Sequence, residues 1–364
     1  MILPRDPRPA PSALTRRGVL MAGGAAALAL AVPAGLAGCG PIRIGGPATY
    51  TPPPPGIDDL YRTDLIAVLD RAIAGTDALV GGAAPSDPAL SDALGELTAA
   101  LPAQRTGLLT GAQYEREQEA ASDPAPGQTS APPPADAPTD AAGLVDTLVE
   151  LRSLATSASR QISGSLARPV AAIAAHTEWS VRRLHLAADA GEVPALPAAE
   201  EIVPGREVPE TDPPSIGAET DYHSSIERAQ QEEWYAGYVH EVLAARSEGE
   251  DRQWHLTLAE RHRTRAGDLG AIAEEDGCPV VGRQAVYALP GGTLDDRTAG
   301  QLPALLARGL LVDHVSLVGA APFARRPLSI LAAMEEADVL VGRTESLEPL
   351  PGVRVEEAPV SDGG

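Results

Sequence analysis

Proline is spread unevenly along this chain, and that distribution limits the possible folds more than any other feature. Of 35 prolines in 364 residues, 23 lie before residue 57 or within 122–138 and 190–215. Proline fixes φ and removes a backbone donor, so it is excluded from most helix interiors. The proline-poor remainder falls into two blocks, 57–189 and 218–345, each free to be helical. Only 11 residues are aromatic, and runs of Val and Ile are few, which argues against an all-β sandwich. No segment alternates at period two for long enough to make a strand; 280–289 comes nearest. The expected fold class is all-α.

Apolar residues recur at helical spacing in both blocks. In the first, Ile57, Tyr61, Leu65, Val68, Leu69, Ala72 and Ile73 form one stripe. Leu90, Leu94, Leu97, Leu101 and Leu108 form another, which Pro102 is expected to kink or divide. Leu144, Leu148, Leu151, Ala155, Ala158 and Ile162 make a third, and Leu166, Val170, Ile173, Val181 and Leu184 a fourth. Each stripe is narrow and needs neighbours, so the four imply a helical bundle. The second block reads as helices over 221–246, 250–273, 294–318 and 322–343. Ser247-x-x-Glu250 and Thr293-x-x-Asp296 have capping-box spacing, and Pro322 suits a first turn. The expected layout is a signal peptide at 1–38, a Pro-rich tether at 39–56 and a helical domain at 57–189 with an insertion at 122–138. A linker at 190–217, a second bundle at 218–345 and a loop-like tail at 346–364 complete it. Whether the two blocks pack together is left open.

The N-terminus reads as an export signal. Arg16 and Arg17 precede an uncharged stretch, 18–38, that ends Leu36-Ala37-Gly38-Cys39. The arginine pair looks like a twin-arginine signal, and the ending resembles the lipobox of bacterial lipoproteins. That resemblance makes Cys39 the first mature residue and the carrier of a lipid. A plain transmembrane anchor is the alternative, but Gly23, Gly24, Pro33 and Gly35 make a poor helix. The run Pro52-Pro53-Pro54-Pro55 keeps the following spacer extended, with a reach of roughly 50 Å from the membrane. The expected location is the extracytoplasmic face of the cell membrane, with an envelope protein as partner. A net charge of −22, with 28 Arg and no Lys, argues against binding nucleic acid or an anionic membrane surface. With Cys39 lipidated, Cys278 is the only thiol left and no internal disulfide can form.

Charged groups on apolar faces are the candidate site. On a helical wheel, Ala229, Tyr235, Ala236, Val239, Val242 and Leu243 share a face, with Glu232 in its middle. In the next helix His255 and His262 fall among Trp254, Leu258, Ala259, Ala266, Leu269, Ile272 and Ala273. One reading is a metal or acid–base site of Glu232, His255 and His262, holding Fe, Mn or Zn. A di-metal bundle site uses about four carboxylates and two Glu-x-x-His pairs, and the chain has no Glu-x-x-His. Glu335 is expected on the outside of the last helix and Glu336 near its edge. The competing reading is structural: Arg228 pairs with Glu232 at i, i+4, and Arg308 approaches across the bundle. His176, Glu178 and His185 read as a solvated helix face. No Gly-x-Ser-x-Gly, phosphate-binding glycine loop or Cys-x-x-Cys is present, so no catalytic residue is assigned.

Three stretches resemble a known family: Gln231-Glu232-Glu233-Trp234-Tyr235-Ala236-Gly237-Tyr238, His262-Arg263-Thr264-Arg265-Ala266-Gly267-Asp268-Leu269, and Tyr287-Ala288-Leu289-Pro290. Ser165-Leu166-Ala167-Arg168 with Ala171–Ala175 adds an upstream match. They are similar to the ferritin-like domain of unknown function found in lipoproteins of high-GC Gram-positive bacteria. The resemblance implies a ferritin-like four-helix bundle over about 120 residues, usually without an assigned activity. Of the superfamily's metal ligands it matches only Glu232 and His262. The expected function is a non-enzymatic scaffold or partner-binding role without a cofactor; the alternative is a metal-binding or redox bundle.

Overall fold

The protein is described by a computed structural model covering residues 55–82, 87–122, 132–207, 218–289 and 294–353. Arg16, Arg17, Cys39 and the expected signal peptide lie outside the described residues, as do most of the tether and residues 123–131 and 208–217 of the proline-rich stretches. The described residues are all helical in class: α1 (Ile57–Gly81), α2 (Pro88–Leu108), α3 (Gly111–Ser122), α4 (Ala141–Ser159), α5 (Gly164–Ala188), α6 (Ala218–Arg246), α7 (Gly249–Glu275), α8 (Asp296–Ala320) and α9 (Pro327–Leu340). None forms a strand, and 280–289 is a connection without regular structure.

The apolar stripes of both blocks become helices, with three local differences. Pro102 lies within an unbroken α2. α3 has no buried residue and no stripe, so periodicity could not reveal it; Arg105 of α2 holds it through Glu117 at 2.8 Å. Expected start signals also shift. Ser247 bonds back to the Leu243 carbonyl rather than capping α7. Asp295 caps α8 by accepting from the Thr298 N–H, and Pro327, not Pro322, opens α9.

The two blocks share one core. α5 carries small residues on every side and can therefore be surrounded. It packs on α2 and α4 on one flank and on α8 and α9 on the other. The core runs from Leu65, Leu97 and Leu148 through Ile173 to Leu311, Val315 and Met334. At the α5–α8 crossing a Cβ on Gly164 would lie 2.3 Å from the Gly319 carbonyl oxygen, so only glycine permits that approach. Buried Arg326 donates to the Ser159 and Ile162 carbonyls at the end of α4, at 3.2 and 2.6 Å. A cation there satisfies orphan carbonyls and suits the helix dipole. Beyond α9 the loop returns to the core through Leu347 and Leu350. α8 is long and apolar enough to span a bilayer, but most of it is buried in this core.

A buried carboxylate, imidazole and guanidinium site in the second block

Among the buried positions on α6, Tyr222, Ile226, Ala229, Glu233, Ala236, His240 and Leu243 follow a regular 4-3 repeat. Its members include Glu233 and His240. Glu233, not Glu232, is therefore the carboxylate that enters the bundle, with no exposure to solvent. On α7 the buried stripe includes His255, His262 and Arg265. α8 adds His314, and α9 adds Glu336 with Glu335 beside it.

These side chains form one network. His262 Nδ1–H donates to Glu233 Oε2 and His314 Nε2–H to Oε1, each at 2.7 Å. A carboxylate only accepts, which fixes the proton on those two nitrogens. Arg265 reaches Glu233 Oε1 at 3.0 Å and Glu336 Oε1 at 2.6 Å through Nη1, and Glu335 Oε2 at 2.6 Å through Nη2. The His240 ring stacks on His262 at 5.3 Å between centroids, and its Nδ1 lies 2.9 Å from His255 Nδ1. Trp254 meets both His240 and His255 edge-on. Burial alone would raise the Glu233 carboxyl, but Arg265 and the bonds from His262 and His314 together hold it well below the usual range. Burial lowers Arg265, but its three carboxylates outweigh that and raise it. His240 falls to about 2, first by burial and then by the neighbouring His262, His255, Arg343 and Arg261.

The sequence-derived residues separate into two places. His255 and His262 are both in the network. Glu232 is half-buried one position round α6 from Glu233, where burial and nearby Asp313 raise its carboxyl. Arg228 bonds Asp313 at 2.9 Å rather than Glu232. Arg308 turns to the loop after α9, donating to Thr344 Oγ1 and the Ser346 carbonyl at 3.0 and 3.1 Å. Glu336, expected at an edge, is buried, and Glu335 bonds Arg265. In the first block, His176 and Glu178 are buried rather than solvated. Glu178 pairs with Arg152 of α4 and with Arg182.

A ferritin-type metal needs carboxylate oxygens and imidazole lone pairs that converge on one point. Here the imidazoles turn N–H groups, not lone pairs, toward Glu233, and a guanidinium stands between Glu233, Glu335 and Glu336. These residues do not fit a metal in this arrangement; Arg265 supplies the positive charge among the carboxylates. No group of three or more His, Cys, Asp or Glu among the described residues is arranged to hold an ion.

Two clefts are lined by these helices, one of them touching the network. One, of about 620 Å³, meets its outer end at Arg265 and Glu335, between α7, α9 and the turn Ala199–Glu201. The other, of about 1030 Å³, lies where α5, α6 and α8 meet the last loop and includes Arg228, Arg308 and Asp313.

Residues 225–355 match the model of a family described as a domain of unknown function, DUF4439. The match spans α6 from its second turn through α9 and so contains the whole network. No curated protein and no solved structure matches the chain.

Proposed function

We propose that this is an exported envelope protein, anchored by a lipid on Cys39, whose helical body is a non-enzymatic scaffold or partner-binding module. In this reading the second block is a ferritin-like bundle in which Arg265 replaces the metal charge. The observation that carries it is the burial of Glu233 under three donors, His262, His314 and Arg265. A carboxylate with three donors in place and no exposure to solvent orders a bundle core and is out of a substrate's reach. The N-terminal signal and Pro-rich tether support a body held clear of the membrane.

The contact between His240, His255 and His262 favours the second reading, a metal or redox bundle. It needs Arg265 to leave the carboxylates. Elemental analysis of the full chain, produced with its export signal and purified without chelators, separates the two. Iron, manganese and zinc are expected at background; stoichiometric metal overturns the scaffold reading. Replacing Cys39→Ser is expected to move the protein from the membrane to the soluble fraction, and retention in the membrane overturns the lipid anchor.

A further inference from the structure

The cleft between α5, α6 and α8 gathers arginines within a strongly acidic chain. The protein carries −22 overall, yet Arg168, Arg228 and Arg308 converge here from three helices. Beside the half-buried Glu232, which interacts with Arg228 and Asp313, two carboxylates share the lining, Asp313 and Glu348. Each has its own arginine: Arg228 Nε lies 2.9 Å from Asp313, and Arg308 Nη1 lies 3.8 Å from Glu348. The charge of Arg168 is matched by no carboxylate of the lining. Its Nη2 donates to Ser316 Oγ and the Gly352 carbonyl, at 3.2 and 2.6 Å. Those bonds hold the guanidinium over the cleft.

Unused donors point the same way. A guanidinium has five N–H groups in a rigid fork suited to phosphate and carboxylate oxygens. Arg228 engages Asp313 through Nε, and neither of its terminal nitrogens has a partner among the described residues. Its side chain is 71% exposed, so those nitrogens are open to solvent. Arg168 uses one terminal nitrogen and keeps Nε and Nη1. Ser225, on an early turn of α6, adds a hydroxyl donor to the same lining, whereas the Ser224 hydroxyl already donates to the Asp221 carbonyl. Val312 and Val353 supply an apolar wall. About 1030 Å³ is far larger than an inorganic anion needs and is of the size that takes a small organic ligand.

We propose that this cleft binds an organic phosphate ester. The phosphoryl oxygens accept from Arg168, Arg228 and Ser225, and the apolar part of the ligand lies against Val312 and Val353. The geometry suits a tetrahedral dianion better than a carboxylate, because donors arrive from several helices rather than as one planar fork. The site is separate from the Glu233 network, and it does not depend on the lipid anchor or on the metal question.

The test uses the purified full chain, with phenyl phosphate and inorganic phosphate as calorimetric probes. Phenyl phosphate is expected to bind saturably at one site, more tightly than inorganic phosphate. Its affinity is expected to fall at least tenfold in Arg228→Gln and in Arg168→Gln, with far-UV spectra unchanged, and to recover in part in Arg228→Lys. Vesicles of phosphatidylcholine with and without phosphatidylglycerol separate the two sources of such a group. Retention that needs phosphatidylglycerol and is lost in Arg228→Gln assigns the cleft to a lipid headgroup; binding of phenyl phosphate alone assigns it to a soluble ester. Absence of binding to every probe, or equal binding by Arg228→Gln and the unaltered protein, overturns the proposal.

Discussion

Replacing Arg265→Met is expected to cost about 3–5 kcal/mol of stability, the range for removing one partner of a buried ion pair. The size follows from what is left behind. Glu233 and Glu336 are 0% and 1% exposed and Glu335 is one-quarter exposed, and all three accept from Arg265. Without the guanidinium, two carboxylates would be buried with only the His262 and His314 N–H groups near them. Methionine fills much the same volume, so packing changes little and the loss reports the charge. Arg265→Lys is expected to fall between, because an ammonium keeps the charge but not the fork that spans three carboxylates. Adding Glu336→Leu to Arg265→Met is expected to restore part of the loss, since it removes one stranded carboxylate. Urea unfolding midpoints with unchanged slopes would read these differences directly. A loss below about 1 kcal/mol, the scale of an exposed pair, would show that water reaches the cluster.

The helices were legible because their apolar stripes are regular. Leu65, Leu97, Leu148 and Ile173 all lie where helical spacing puts them. What could not be read was the inward face of α6. Gln230, Glu233 and His240 occupy it, so the apolar residues that remain visible, Tyr235, Ala236, Val239 and Val242, define a centre one position off. One position is about 100° of rotation, enough to select Glu232 in place of Glu233. The 4-3 repeat Tyr222, Ile226, Ala229, Glu233, Ala236, His240, Leu243 was the available signal, and it appears only if polar residues are allowed at core positions. α7 was easier, because Leu258, Ala259, Ala266 and Leu269 frame His255 and His262. Arg265 was missed because a lone arginine on a stripe is normally a snorkelling edge residue. The helix stripes also gave no hint of α5 as a shared centre. Periodicity reports one buried face per helix, whereas His176 and Glu178 are buried by α5 having neighbours on both flanks.

Buried imidazoles are expected to make the protein acid-labile, and the sign can be derived group by group. Burial lowers His176 to about 4, against the partial opposition of a backbone bond to Leu347. It lowers His240 to about 2, helped by His262, His255, Arg343 and Arg261. His255 moves the same way, again chiefly by burial, with Asp251 opposing and Arg343 assisting. In the unfolded chain each takes up a proton near its ordinary value of about 6.5. Below that pH the unfolded state binds protons that the native state refuses, so stability falls as pH falls. Each such histidine contributes up to about 1.4 kcal/mol per pH unit. His176 stops contributing near its native value of about 4, whereas His240 continues to about 2. Two of them imply a loss on the order of 5 kcal/mol between pH 6.5 and 4.5, or roughly 10 °C or more in Tm. Glu233 adds to the loss below the ordinary carboxylate range, because its native carboxyl is held low. Glu232, Asp313 and Asp338 are raised by burial and act in the opposite sense. Their effect is smaller, because Glu232 and Asp338 are partly exposed and all three have arginines that oppose the shift. Thermal unfolding at pH 7.5, 6.0 and 5.0 measures the slope, and His240→Leu is expected to reduce it by about 1.4 kcal/mol per pH unit. A flat profile from pH 7 to 5 would mean that these rings take up protons without unfolding, which requires water or an acidic partner inside the bundle.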